Sequence, residues 1–168
     1  VTEIAIREAR REDMPSIADT CRASTNEEEV IGFTVPEWGT FRDIKKLREI
    51  WTTGNRLNDD YEVIVSERGG QIVGFIVFKR EQEFLYIDQM NVRKSEQKQG
   101  IGRALVEYVE RLAIENGLAR VETDTTENAD GVPWNSYDFW LKMGFIDTGE
   151  RLKTKWDLKT IPFVKWLS

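Results

Sequence analysis

Apolar and polar residues alternate along EIAIREA (3–9) as they do on a strand at the edge of a sheet. Asp13 and Pro15 then have the form of a helix cap and first turn, predicting a short helix to about Ala23. From Thr25 to Asn58 the pattern is irregular. There EEEVIGFTVPEW (27–38) reads as a loop, and FRDIKKLREIW (41–51) as an amphipathic helix ended by Thr53, Gly54 and Asn55. Period two returns in YEVIVSE (61–67) and QIVGFIVFKRE (71–81), and Arg68-Gly69-Gly70 between them completes a β-hairpin.

FLYIDQMNV (84–92) follows as a third strand of that sheet. Phe84, Tyr86, Asp88, Met90 and Val92 share one of its faces, which sets the Asp88 carboxylate among apolar neighbours. A helical stripe comes next: Ile101, Ala104, Leu105, Tyr108, Val109, Leu112 and Ala113 repeat at helical spacing up to an Asn116-Gly117 stop. ARVETDTTE (119–127) is a strand with Glu122 and Asp124 on one face. NADGVPW is a loop, NSYDFWLKM (135–143) a short helix closed by Gly144, and the tail supplies two strands near FIDTGE and KWDLKTI. This order predicts a mixed α+β sheet in which the strands at 84–92 and 119–127, joined through a helix, run parallel.

A chain of 168 residues fits one domain, 1–168, large enough to bury a core without staples. It contains no histidine, so the usual general base, the usual metal ligand and the Ser-His and Cys-His nucleophile arrangements are excluded. Proton transfer falls to carboxylate, Tyr, Lys or water. The single cysteine, Cys21, rules out a disulfide framework and a paired-thiol metal site, and with no membrane-length apolar run the expected location is the cytoplasm. A formal charge of −6 argues against nucleic acid as a partner.

Gln97-Lys98-Gln99-Gly100-Ile101-Gly102-Arg103 opens the long helix, and helix stability asks for neither glycine. A helix start offers unpaired N–H groups to an anion such as a phosphate. Glycines clear the approach, and Gln97, Lys98 and Arg103 are candidate extra donors. A Walker A loop is missing, and the dinucleotide fingerprint fails at its third glycine, where Leu105 stands.

These residues resemble the GNAT superfamily of acyl-CoA-dependent N-acyltransferases. QKQGIG (97–102) is similar to the family's Q/R-x-x-G-x-G/A signature, and FWLKMGF (139–145) to its FYxKxGF segment. The resemblance implies a single-domain fold with a central, mostly antiparallel twisted sheet of about seven strands, splayed between 84–92 and 119–127 and flanked by about four helices. It implies that the main-chain amides of residues 99–103, Ile101 among them, hold the diphosphate of acetyl-CoA, with no metal. Met90 and Val92 would line the pantetheine and thioester, the Met90 N–H serving as oxyanion donor, with Asn128 and Trp140 as further cofactor contacts.

The reaction implied is acetyl transfer to a primary amine by direct attack. A free amine with pKa near ~10.4 needs a proton acceptor at neutral pH. Asp88, Glu122 and Asp124 are the candidates, Asp88 and Glu122 being the expected pair; a structural ion pair is the competing reading for each. Trp140 stands where the family's proton-donating tyrosine is expected, and Tyr137 is the candidate replacement. Capping of the last helix is the expected role of Asn135. Glu27, Glu28, Glu29, Glu37, Trp38 and Trp51 are either an acidic, aromatic mouth for a cationic amine or a solvated loop and core tryptophans, the second being the expected reading. The acceptor, a protein N-terminus, polyamine or other small amine, is left open. So is a homodimer, which is common among proteins of this kind. A CoA-binding sensor without turnover is the alternative, favoured by Trp140.

Overall fold

The computed structural model describes residues 3–24, 39–154 and 157–167. Glu27, Glu28, Glu29, Glu37 and Trp38 lie outside them. Among the described residues the strands are β1 (Ile4–Glu8), β2 (Arg56–Leu57), β3 (Tyr61–Arg68), β4 (Gln71–Arg80), β5 (Phe84–Val92), β6 (Arg120–Glu127), β7 (Ile146–Asp147), β8 (Leu152–Lys153) and β9 (Lys159–Trp166). The α-helices are α1 (Met14–Ser24), α2 (Ile44–Ile50), α3 (Ile101–Glu115) and α4 (Ser136–Lys142). This is the expected mixed α/β architecture with a mostly antiparallel sheet, the two-residue strands β2 and β8 being additions. None of these helices is long and apolar enough to cross a membrane.

Contacts divide the chain into two compact units, Val1–Lys79 with Gln89–Tyr108, and Arg80–Asp88 with Val109–Ser168. In the first, strands follow the order β1-β3-β4-β5, with β1 and β4 antiparallel to β3. Met14, Ile17, Ala18 and Cys21 recur at helical spacing along α1 and are buried in one cluster with Val63, Val65, Phe75 and Val77 of β3 and β4. Ile64, Ile76 and Phe78 point to the opposite face and are also buried, so this hairpin reads as a nearly continuous apolar run. Each such side chain contributes about 1.5–3 kcal/mol by leaving water. Trp51 belongs to the same core, its Nε1 donating to the Gly54 carbonyl (2.9 Å), as its structural reading predicts. Asp43, which the sequence reading placed inside a longer helix, caps α2 by accepting from the amides of Lys45 (2.9 Å) and Lys46 (3.4 Å).

In the second unit the order is β5-β6-β9-β7, and β5 runs parallel to β6 as the crossover requires. That ladder covers Phe84↔Arg120, Leu85↔Val121 and Tyr86↔Glu122 and then stops; one step on, the Thr123 hydroxyl donates to the Ile87 carbonyl (2.9 Å). The longest strand of the tail is 159–166, further along the chain than KWDLKTI. Pro162 concealed it, since proline supplies no ladder donor. Here it lies opposite Asp124 of β6, and its carbonyl accepts from the Thr148 amide (3.1 Å).

Gly74 is fixed by its surroundings. A methyl group there would lie 2.8 Å from Ser66 Oγ, 3.2 Å from the Asn91 carbonyl oxygen and 3.2 Å from Ile101 Cγ2. The first turn of α3 therefore packs directly on the β4 backbone. Gly74→Ala is expected to destabilise the protein by about 1–3 kcal/mol through overpacking, read as a lowered urea midpoint at unchanged slope.

Candidate active site

The turn before α3 is built to leave its amides open. A short 3₁₀ turn (Lys94–Glu96) ends β5, after which Lys98 (φ +64°) and Gly100 (φ +85°) adopt left-handed backbone conformations. Gly100 has open space where a side chain would begin, so conformation, not crowding, demands glycine there. The first main-chain bond of the helix runs from the Ala104 amide to the Gly100 carbonyl (3.0 Å). Among the described residues no acceptor takes the amides of residues 98–103. Lys98, Gln99, Gly100 and Arg103 are exposed, and among the described residues no ion pair holds Lys98 or Arg103. A row of free N–H groups at a helix start, flanked by two cations, suits a diphosphate.

Gln97 corrects one expectation. Both N–H bonds of its side-chain amide are used inside the protein, on the carbonyls of Ser24 (3.2 Å) and Val92 (2.9 Å), so it ties the turn down instead of presenting a donor. Ile101 is buried and anchors the helix start. Gly102 lies in the first turn of α3. Met90 is half-buried and Val92 buried near the end of β5, on the strand that feeds the turn. Asn91 between them donates to Ser24 Oγ (2.7 Å) and accepts from Gln89 (2.7 Å), locking this part of the strand to the end of α1.

In the second unit a cluster of acids forms where the β5–β6 ladder stops. Tyr86 is registered against Glu122, and its hydroxyl donates across the strands to Asp124 Oδ2. Asp124 is half-buried and its carboxyl is pushed up to about 6, chiefly by desolvation and further by the charge of Asp88; the Tyr86 hydrogen bond pulls the other way. Asp88 is exposed on β5, and desolvation by its surroundings raises its carboxyl too. An elevated carboxyl beside a second one is what a proton acceptor for an amine needs.

The other residues expected here have structural partners. Glu122 accepts from Arg120 Nε (2.7 Å), and the Arg120 guanidinium stacks on Phe84 and Trp166, 4.6 and 5.4 Å from the ring centroids. Tyr137 donates to Asp147 Oδ2 (2.9 Å), which raises its phenol; Arg151 holds Asp147 down to about 2. Trp140 is buried edge-on against Phe139 and Phe145. Asn128 Oδ1 accepts from the amides of Asp130 and Val132, both at 2.9 Å, which shapes the loop after β6. Asn135 precedes α4 but makes no side-chain cap, against expectation, because its own backbone is already helical. Sequence reasoning does not single out Tyr86, and it places Asp124 behind Glu122. Their signal is the shared period-two face of 86/88 and 122/124, which becomes a site only once β5 and β6 are placed side by side.

Because Asp124 binds a proton more tightly folded than unfolded, its charge opposes folding once pH exceeds the unfolded value near ~3.9, and that cost is complete above about 6. Asp124→Asn is therefore expected to gain on the wild type by up to about 3 kcal/mol between pH 4 and pH 7, compared through urea midpoints at the two pH values.

The family model described as "Acetyltransferase (GNAT) family" matches residues 24–145. Among solved structures, PaiA N-acetyltransferase from Thermoplasma acidophilum in complex with coenzyme A is 15% identical, with TM-score 0.69 over 98% of this chain and 99% of that one. A GNAT-family protein from Desulfovibrio desulfuricans is 16% identical, with TM-score 0.76 over 98% and 99%. The ribosomal-protein-S18-alanine N-acetyltransferase of Escherichia coli is 15% identical, with TM-score 0.68 over 99% and 95%. At such identities the likeness is one of fold. The match over 24–145 goes further, and with it this chain belongs to the GNAT family of acetyltransferases.

Proposed function

We propose that this protein transfers an acetyl group from acetyl-CoA to a primary amine by direct attack. The observation that carries the reading is the run of unpartnered amides at residues 98–103, with Lys98 and Arg103 exposed beside it. These groups would hold the diphosphate, and β5, running straight into the turn, would set the main chain of Met90 and Val92 along the pantetheine arm, the Met90 N–H facing the thioester carbonyl as oxyanion donor. Crystallisation of the Thermoplasma acidophilum protein with coenzyme A is in keeping with this.

Asp124 is the base in this reading, two residues beyond Glu122 on the same strand face. It takes a proton from the incoming ammonium, directly or through water; the amine nitrogen then forms the C–N bond, the C–S bond breaks, the sulfur leaves with the bonding pair, and the second nitrogen proton passes to that thiolate or to water. Asp88 supports Asp124 by keeping its proton affinity high. A thiol with pKa near ~8.5 departs without an obligatory acid, so engagement of Tyr137 by Asp147 does not block turnover. No metal is required. The acceptor class is a small-molecule or peptide amine, and the cytoplasm is the proposed location. The sensor reading retains one point in its favour, the occupied Tyr137 hydroxyl; CoA binding without thiol release across a broad amine panel would establish it in place of catalysis.

The assay is thiol release from acetyl-CoA across that panel, followed against pH. Activity is expected to rise with pH through about 6 as Asp124 ionises, and Asp124→Asn to cost about 100-fold or more in kcat. The flanking residues act in opposite directions. Asp88→Asn removes a charge that raises Asp124 and should move the acidic limb to lower pH; Tyr86→Phe removes a bond that lowers it and should move the limb higher. An acidic limb unmoved by both substitutions would remove Asp124 from the mechanism.

A further inference from the structure

The turn at residues 94–100 departs from relaxed backbone at Lys98, a non-glycine residue in the left-handed region, and something must hold it. On one side Gln97 is tied to Ser24 and Val92. On the other stands Arg68, the last residue of β3. Its Nη1 donates to Glu96 Oε2 at 2.7 Å and to Gln99 Oε1 at 3.0 Å. The two clamps bracket Lys98. Arg68 Nε is buried with no acceptor among the described residues, so the side chain is held in place at a desolvation cost that only these bonds offset.

From this we infer that Arg68 is a positioning residue for diphosphate binding, a role that rests on the diphosphate reading of the turn. It acts in two ways. Through Gln99 it fixes the segment whose amides face the ligand, so that they need no ordering when the anion arrives. Through Glu96 it neutralises the carboxylate nearest the turn in sequence, which would otherwise repel a phosphate. Arg68 need not touch the ligand to do either.

Calorimetric titration of the full chain with CoA tests the inference. Arg68→Ala is expected to weaken binding about 10-fold, the scale of a lost charge-assisted bond, with the same loss for 3′-phosphoadenosine 5′-diphosphate, which carries the diphosphate without the pantetheine arm. Arg68→Lys should fall between, and adding Glu96→Gln to Arg68→Ala should restore part of the affinity. Arg7→Ala, which breaks ion pairs to Asp13 and Glu67 beside the same strand, should lower the thermal midpoint and leave CoA affinity unchanged, separating general loosening from positioning. Wild-type affinity in Arg68→Ala, or a loss for CoA that the diphosphate fragment does not share, would overturn the role of Arg68. Failure of the wild type to bind CoA would instead overturn the diphosphate reading beneath it.

Discussion

Main-chain N–H groups without acceptors are costly to bury and useful to expose, and the fold is arranged around one such set. The amides of residues 98–103 precede the first bond of α3 and, among the described residues, are taken by no protein group. Much of the first unit serves their placement. Gly74 lets α3 start hard against β4, Ile101 is buried at that start, and Gln97 and Arg68 hold the turn from opposite sides. Left-handed backbone costs nothing at Gly100 but is strained at Lys98, where these neighbours over-determine it.

The second unit arranges charge by a comparable economy. Strands β5 and β6 run parallel for three residue pairs and then cease to pair, and Asp88 and Asp124 lie just past that point. Desolvation and the charge of Asp88 raise Asp124, while the Tyr86 hydroxyl restrains the rise. The neighbouring acids are spent differently: Glu122 on Arg120, Asp147 on Arg151 and Tyr137. Burial and partner choice, more than residue type, separate the raised Asp124 from the lowered Asp147.

Local order was legible in the sequence because it depends on near neighbours. The α3 stripe, the hairpin at 61–80, the glycines of the turn and the parallel crossover all follow from periodicity and connection rules. Strand β9 was legible only at its start, since Pro162 argues locally against the continuation that β6 and β7 impose from either side. Gln97 looked like a ligand donor in the linear chain; its partners, Ser24 and Val92, become visible only once α1 and β5 are placed. The bond from Tyr86 to Asp124 links residues 38 apart and needs the register of two strands. The candidate site was thus legible where it lies in the backbone of one turn, and hidden where it depends on pairing.

Backbone amide resonances of residues 98–103, recorded with and without CoA, test the central claim most directly. Direct hydrogen bonding to the diphosphate predicts that these amides show the largest downfield shifts in the protein and gain protection from exchange. If CoA binds while these resonances stay unmoved, the turn is not its anchor and the account is contradicted.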